Sequence, residues 1–342
     1  MSTTLRDIAE RASVSASTVS RVLNNYPYVD DKTRQTVLEA AEALGYPRTN
    51  LRKSTGALRT VLLLVRLQQQ GSEPNGDRNG SIETGLAGIE RAIAVGARSI
   101  LDEKGITTRV EHTLMNPAQT LSHVHDPSVI GLILAGGMVD GDFLRTLQAE
   151  EIPFVVAGSH ARPLSINCVM ADYRGGVEQA VAHLVARGCR RIGLVNGSTV
   201  TTSSLEKYKG LRTALAEHGL DFSPQRVVYA DFTMESGHQQ TLALLAQAPE
   251  LDAIVFGDDN IATGGLRALR ELGRHVPDDI RITGFHNYDI AQFVDPPLTT
   301  VEFDMNALGA VAAQRLCQMI DGPDDVPWTI VLPTRLIVRE SA

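Results

Sequence analysis

At 342 residues with 43% hydrophobic content, the chain is too long for one ordinary core and suits a small head joined to one or two larger domains. Its formal charge of -8 argues against a general nucleic-acid binder, but residues 1–60 hold nine Lys/Arg against six Asp/Glu (+3) while the remainder holds 23 against 34 (-11). Three widely spaced cysteines, Cys168, Cys189 and Cys317, with no Cys-x-x-Cys pair, speak against a disulfide framework or a zinc site, and no apolar run of bilayer length or signal peptide is present, so buried thiols in a reducing cytoplasm and no membrane contact are expected.

The first 46 residues read as three short helices. Leu5, Ile8, Ala9 and Ala12 recur on one helical face behind a capping box of Thr4 and Asp7. Ser15 caps a second helix in which Val19, Val22 and Leu23 point inward, opposite Ala16, Ser17, Ser20 and Arg21. A third helix, capped by Asp30, carries Val37, Ala41 and Leu44 inward and stops at Gly45. This is a helix-turn-helix with a supporting helix. Laid in the major groove, the second helix would bring Arg21 to a guanine edge, Ser17 to bases or phosphate, and the Ala16 methyl to a thymine methyl. Arg21 on a phosphate, and a three-helix bundle that binds nothing, are the alternatives from pattern alone.

The literal string favours DNA. Thr4-Leu5-Arg6-Asp7-Ile8-Ala9, Val14 through Asn24, and Gly45-Tyr46 closely resemble the DNA-binding head of the LacI/GalR family of bacterial repressors. The resemblance implies a DNA-contacting set of Thr4, Ser15, Ala16, Ser17, Thr18, Ser20, Arg21, Asn24, Arg34 and Tyr46, with Leu51 and Arg52 from the segment that follows.

That segment, residues 47–60, carries Arg48, Arg52, Lys53 and Arg59 with one glycine and reads as a linker beside phosphate. In the family it forms a hinge helix whose leucine wedges into the minor groove. Here Ser54-Thr55 stands about where Ser-Leu is expected, which leaves Leu51 and Leu58 as wedge candidates. A hinge helix and a flexible basic tether both stay open, and hinge contacts that are mainly electrostatic, with less kinking than in the family, are the expectation.

From Val61 onward, short apolar runs alternate with amphipathic helices. Strands are expected at Val61–Val65, Thr107–Glu111, Ile130–Leu134, Phe154–Ala157, Arg191–Asn196, Arg226–Tyr229, Ala253–Phe256 and Arg281–Gly284. Helices are expected at Ile82–Glu103, Gly141–Glu150, Tyr173–Arg187, Ser204–His218, Glu235–Gln247, Ile261–Leu272 and Met305–Ile320. Such alternation predicts an α/β body of two doubly wound, parallel-sheet subdomains, with ligand at the carboxyl ends of the strands. The expected division is about 61–159 with 288–322, and 160–287 with 323–342.

The body also resembles the LacI/GalR effector domain, itself like the periplasmic sugar-binding proteins. The resemblance rests on Asp172 with Gly176, Arg191–Val195, Lys207–Leu211, Asp252–Ile254, Val276–Ile280, Asp295–Val301 and Leu332–Arg339. It implies a small-molecule effector, a sugar, sugar acid or sugar phosphate, contacting Lys207, Phe232, Asp258, Asp259 and His286. Lys207 stands where the family has arginine, Asp258 where it has asparagine, and His286 where it has aspartate. These changes replace a planar fork and a fixed acceptor with a point charge and an imidazole. The bland alternative is that Lys207 and His286 are solvated cleft residues.

The remaining constellations are weaker. His123-x-His125 lacks a third ligand, and Ser159-His160 lacks a nucleophile turn, so neither cofactor, metal nor catalysis is expected. The reading is a ligand-responsive repressor of carbohydrate-metabolism genes, binding a pseudo-palindromic operator as a homodimer. With the chain ending just after Val338-Arg339-Glu340, no heptad tail for a tetramer is expected. A secreted or periplasmic solute-binding protein is the alternative, disfavoured by the head and the missing signal peptide.

Overall fold

The computed structural model describes residues 5–23, 31–46, 59–66, 88–113, 124, 126–139, 141–160, 165–322 and 326–342. In the head, α1 (Leu5–Arg11), α2 (Ala16–Leu23) and α3 (Asp31–Ala43) enclose a core of Ile8, Ala9, Ala12, Val19, Val22, Leu23, Val37, Ala40 and Ala41. Ser15 caps α2, its hydroxyl accepting the Thr18 N–H at 3.0 Å. Gly45 closes α3 with a φ of +63°, where glycine carries no steric cost. Leu5, expected on the inward face, is instead exposed at the first turn of α1. The expected caps Thr4 and Asp30 lie outside the described residues.

The body holds two six-stranded sheets. In the first, β1 (Thr60–Arg66), β2 (Thr107–Thr113), β3 (Val129–Val139), β4 (Phe154–His160), β5 (Cys168–Ala171) and β11 (Thr329–Leu332) run in the order β11-β5-β4-β3-β1-β2, all parallel. In the second, β6 (Ile192–Asn196), β7 (Val227–Tyr229), β8 (Ala253–Phe256), β9 (Arg281–Phe285), β10 (Thr299–Glu302) and β12 (Arg335–Ile337) run in the order β12-β10-β9-β8-β6-β7. Only β12 among them pairs antiparallel, along β10. Strands such as Val61-Leu62-Leu63-Leu64-Val65 are buried throughout because helices cover both faces of a parallel sheet. Each such side chain contributes about 1.5–3 kcal/mol over an exposed position.

The helices are α4 (Gly88–Glu103), α5 (Gly141–Ala149), α6 (Tyr173–Ala186), α7 (Thr202–Glu217), α8 (Met234–Gln247), α9 (Asp259–Glu271), α10 (Ile290–Phe293) and α11 (Met305–Asp321). Side-chain N-caps fix several starts, among them Asp172, Thr201, Thr233, Asp258 and Asp304. The three cysteines are free and buried.

The division of the body differs from the expected one. β5 pairs with β4 and β11 pairs with β5, so residues 168–171 and 329–332 belong to the first sheet. β10 pairs with β9, so residues 299–302 belong to the second. The chain therefore crosses between subdomains near residues 172, 303 and 333 rather than at 160, 288 and 323. The reason is that β5, β10 and β11 are only four residues long and complete a sheet before each crossing. An apolar cluster runs unbroken across the crossings through Tyr173, Phe285, Val301 and Phe303.

Candidate functional site

Three strand ends of the second sheet, β6, β8 and β9, converge on the side that faces the first subdomain. β6 delivers Asn196, whose side-chain amide donates to the Ser204 carbonyl at 2.8 Å and whose oxygen accepts the Gly197 N–H. Phe232, with a φ of +71°, lays its ring so close over Gly197 that a Cβ there would meet its Cζ at 2.2 Å. β8 leads through Gly257 to Asp258 and Asp259, and β9 ends in His286, whose φ is +100°. α7 brings in Lys207.

Lys207 and His286 are not solvated. Lys207 is 1% exposed, and its Nζ donates to the Gly257 carbonyl at 2.5 Å while lying 4.1 Å from the centre of the Phe285 ring. Burial pulls its pKa down to about 8, against the opposing pull of Asp258 and Asp259. His286 stacks on Tyr288 with ring centroids 5.1 Å apart. Its Nδ1 lies 3.2 Å from Asp258 Oδ2 yet makes no aligned hydrogen bond. Burial and the Lys207 charge lower its pKa below the ordinary 6.5 despite Asp258, so it is neutral at pH 7.

The two carboxylates have separate tasks. Asp258 caps α9 through the Asn260 N–H at 2.7 Å and keeps its other oxygen toward His286. Asp259 is fully buried, accepting the Thr300 hydroxyl at 2.6 Å and the Tyr288 N–H at 2.8 Å. Asp259 thereby pins the loop after β9 and the strand β10 to the start of α9, a positioning role. Burial raises its pKa from 3.8 to about 7, partly offset by the Thr300 bond.

That shift sets a pH dependence. The folded pKa lies above the unfolded one, so the contribution of Asp259 to stability is complete below about pH 4 and is lost as pH rises through about 7. The melting temperature of Asp259→Asn, followed from pH 4 to 8, is expected to fall less steeply with pH than that of the wild type. Parallel curves would contradict the assignment.

The other wall comes from the first subdomain and was not anticipated. Gly88 at the start of α4 lies where an added Cβ would touch the Tyr288 ring at 3.4 Å. Two residues on, Glu90 faces Gly136 at the end of β3 and senses the charges of Asp258 and His112. Burial raises its pKa above 4.5, partly offset by its own backbone N–H. His112 sits beside Val65 at the carboxyl end of β1. Nothing local marks Glu90 or His112 in the sequence, since their meeting depends on sheet order. Among the described residues, no group of three or more His, Cys, Asp or Glu is arranged to hold a metal ion.

In the head, the expected DNA-contacting residues Thr4, Asn24, Leu51 and Arg52 lie outside the described residues, and Ala16, Ser17, Ser20 and Arg21 are described only as backbone of α2. Ser15 and Thr18 bond each other at 2.8 Å, Arg34 is half-buried on α3, and Tyr46 packs against the head core. His123 and His125 also lie outside the described residues, as do residues 47–58 of the expected linker.

Residues 4–49 match the family described as bacterial regulatory proteins, lacI family, and residues 181–342 match a periplasmic binding protein-like domain. The chain is 32% identical to the HTH-type transcriptional regulator CelR of Thermobifida fusca, over 99% of this chain and 98% of that one. The chain belongs to the LacI family. It is also 30% identical to catabolite control protein A of Priestia megaterium, over 100% of this chain and 99% of that one. Among solved structures it resembles a CelR–cellobiose complex (TM-score 0.71, 29% identity, 99% of this chain and 100% of that one). It also resembles a lac repressor dimer bound to operator and the anti-inducer ONPF (TM-score 0.69, 25% identity, 100% and 99%). A LacI-family chain of this kind is a transcriptional regulator and not an enzyme. No helix among the described residues is long and apolar enough to cross a membrane.

Proposed function

We propose that this LacI-family regulator is a cytoplasmic repressor of carbohydrate-metabolism genes. It binds a pseudo-palindromic operator as a homodimer and is controlled by a small carbohydrate-like effector in the cleft between the subdomains. The observation that carries the reading is the union, in one chain, of a helix-turn-helix head with a cleft whose buried polar groups come from both subdomains. A ligand gripped by both walls stabilises one closure of the cleft, and closure moves the heads of a dimer relative to one another. Two heads on related half-sites multiply a modest single-head affinity through effective concentration. The reading is supported by relatives solved with cellobiose and, as a dimer, with operator.

On DNA, α2 lies in the major groove, with Arg21 reading guanine and Ser17 and Ala16 supplying lesser contacts. Lys207, Phe232, Asp258 and His286 line the effector cleft, and Asp259 positions it. Selection from random duplexes should yield a pseudo-palindrome. Arg21→Ala should then lose about 1–3 kcal/mol on that site and relax base choice at one position per half-site. Equal weakening on all sequences would reassign Arg21 to phosphate, and recovery of no common sequence would refute the operator reading.

A further inference from the structure

We propose that Glu90 is a specificity-determining residue of the cleft, which with Asp258 holds an uncharged, hydroxyl-bearing effector from opposite walls and rejects anionic ones. The inference rests on the reading of this cleft as the effector site, and it names the half of the site that the first subdomain supplies.

The argument starts from unmet hydrogen-bonding capacity. Glu90 Oε2 and His112 Nε2, both in the first subdomain, are shielded from solvent and have no hydrogen-bond partner. His286 Nδ1, on the second, faces Asp258 Oδ2 at 3.2 Å without an aligned hydrogen bond. Buried polar atoms are ordinarily satisfied, because leaving one unpaired forfeits the hydrogen bond it had in water. Two unpaired atoms on one wall, facing an imperfectly paired imidazole and carboxylate on the other, mark a place where a ligand completes the network.

The chemistry of that ligand follows from charge. Glu90 lies within the electrostatic reach of Asp258 and of Tyr288. Asp259 adds a third carboxylate behind them. Against these stand, among the described residues, one buried ammonium, Lys207, already donating to the Gly257 carbonyl, and the His112 imidazole beside Glu90. His286 is neutral at pH 7 and adds no positive charge. Among the described residues the cleft is thus richer in carboxylates than in cations. A sugar acid or sugar phosphate entering it would face Glu90 and Asp258, with no guanidinium fork among the described side chains to receive it. A hydroxyl donates to a carboxylate on either wall and relieves the repulsion that two facing carboxylates oppose to closure. Phe232, covering Gly197 at the end of β6, leaves an apolar ring beside this polar set.

Calorimetric titration of the purified full-length protein with glucose, cellobiose, ribose, glucuronate and glucose 6-phosphate tests this. A neutral member should bind the wild type, and the acid and phosphate at least about tenfold more weakly than glucose. Glu90→Gln should weaken the neutral sugar about tenfold or more and narrow its advantage over the anions. Glu90→Asp, which keeps the charge, should continue to reject anions even if affinity falls through the shorter reach. Tighter binding of glucuronate or glucose 6-phosphate than of the neutral sugars, or a Glu90→Gln affinity equal to wild type, would overturn the inference while leaving an effector in the cleft. A sugar whose affinity ignores both Glu90→Gln and Asp258→Asn binds elsewhere, and the cleft reading then falls with the inference. Binding by no member of the panel would overturn both.

Discussion

Gly309→Ala is expected to destabilise the body by about 3 kcal/mol, the upper end of the usual cost of overpacking. Gly309 lies on α11, and a Cβ there would stand 1.9 Å from the carbonyl oxygen of Ile93 on α4. The contact is reciprocal, since a Cβ on Gly96 of α4 would stand 1.8 Å from the Asn306 carbonyl. The backbones of two helices covering the first sheet meet at these glycines, and no side-chain rotation relieves a clash with a carbonyl. The helices must part by roughly an ångström, loosening Ile93, Ala97, Leu308 and Ala312, all fully buried. For a body of this size the loss should read as a fall in Tm of about 6–12 °C. Gly322→Ala is the control, because nothing lies within 4 Å of its Cβ position and its φ is not positive. If the two substitutions lower Tm equally, the close approach of α4 and α11 is not what the structure depicts.

Lys207→Met is expected to cost about as much, for an electrostatic reason. Methionine fills a similar volume but leaves the Gly257 carbonyl without its donor and Asp258 and Asp259 without their cation. Removing one member of a buried charged set costs about 3–5 kcal/mol, mostly through the charge left behind. The penalty should itself depend on pH. Asp259 is largely protonated at pH 5 and about half ionised near pH 7, so less uncompensated charge remains under acid conditions. Thermal denaturation of both proteins at pH 5 and pH 7.5 should show the Tm difference growing with pH. A penalty equal at the two values would mean that Lys207 acts through packing against Tyr173 and Phe285 alone.

Much of the fold was legible in the sequence because its signals are local. The run Val61–Val65 can only be a doubly covered strand, and the inward face of α2 is written in Val19, Val22 and Leu23. Lys207, Asp258 and His286 stood out as departures from the family pattern, and the structure brings them together. What was not legible depends on distant partners. β5, β10, β11 and β12 are three or four residues each, and their sheet membership is decided by neighbours far along the chain. β11 alternates between exposed and half-buried positions, so it lacks the continuous apolar run that marks β1, β3 and β4 of its sheet. Glu90 looked like any polar helix residue, and His112 fell just beyond the expected end of β2. Only the order β3-β1-β2, which sets α4 beside the strand ends, brings Glu90 to His112 and turns Glu90 toward Asp258 and Tyr288.

Coupling between the cleft and the head is the central claim, and fluorescence anisotropy of the selected operator duplex tests it directly. The duplex would be titrated with the full-length protein, with and without each sugar that raises its Tm, at a fixed salt concentration, since phosphate contacts make affinity salt-dependent. At least one such sugar is expected to change the operator Kd by about tenfold or more, a coupling of about 1.4 kcal/mol, in either direction. Sugars that bind and stabilise the protein yet leave the operator Kd unchanged would contradict the account.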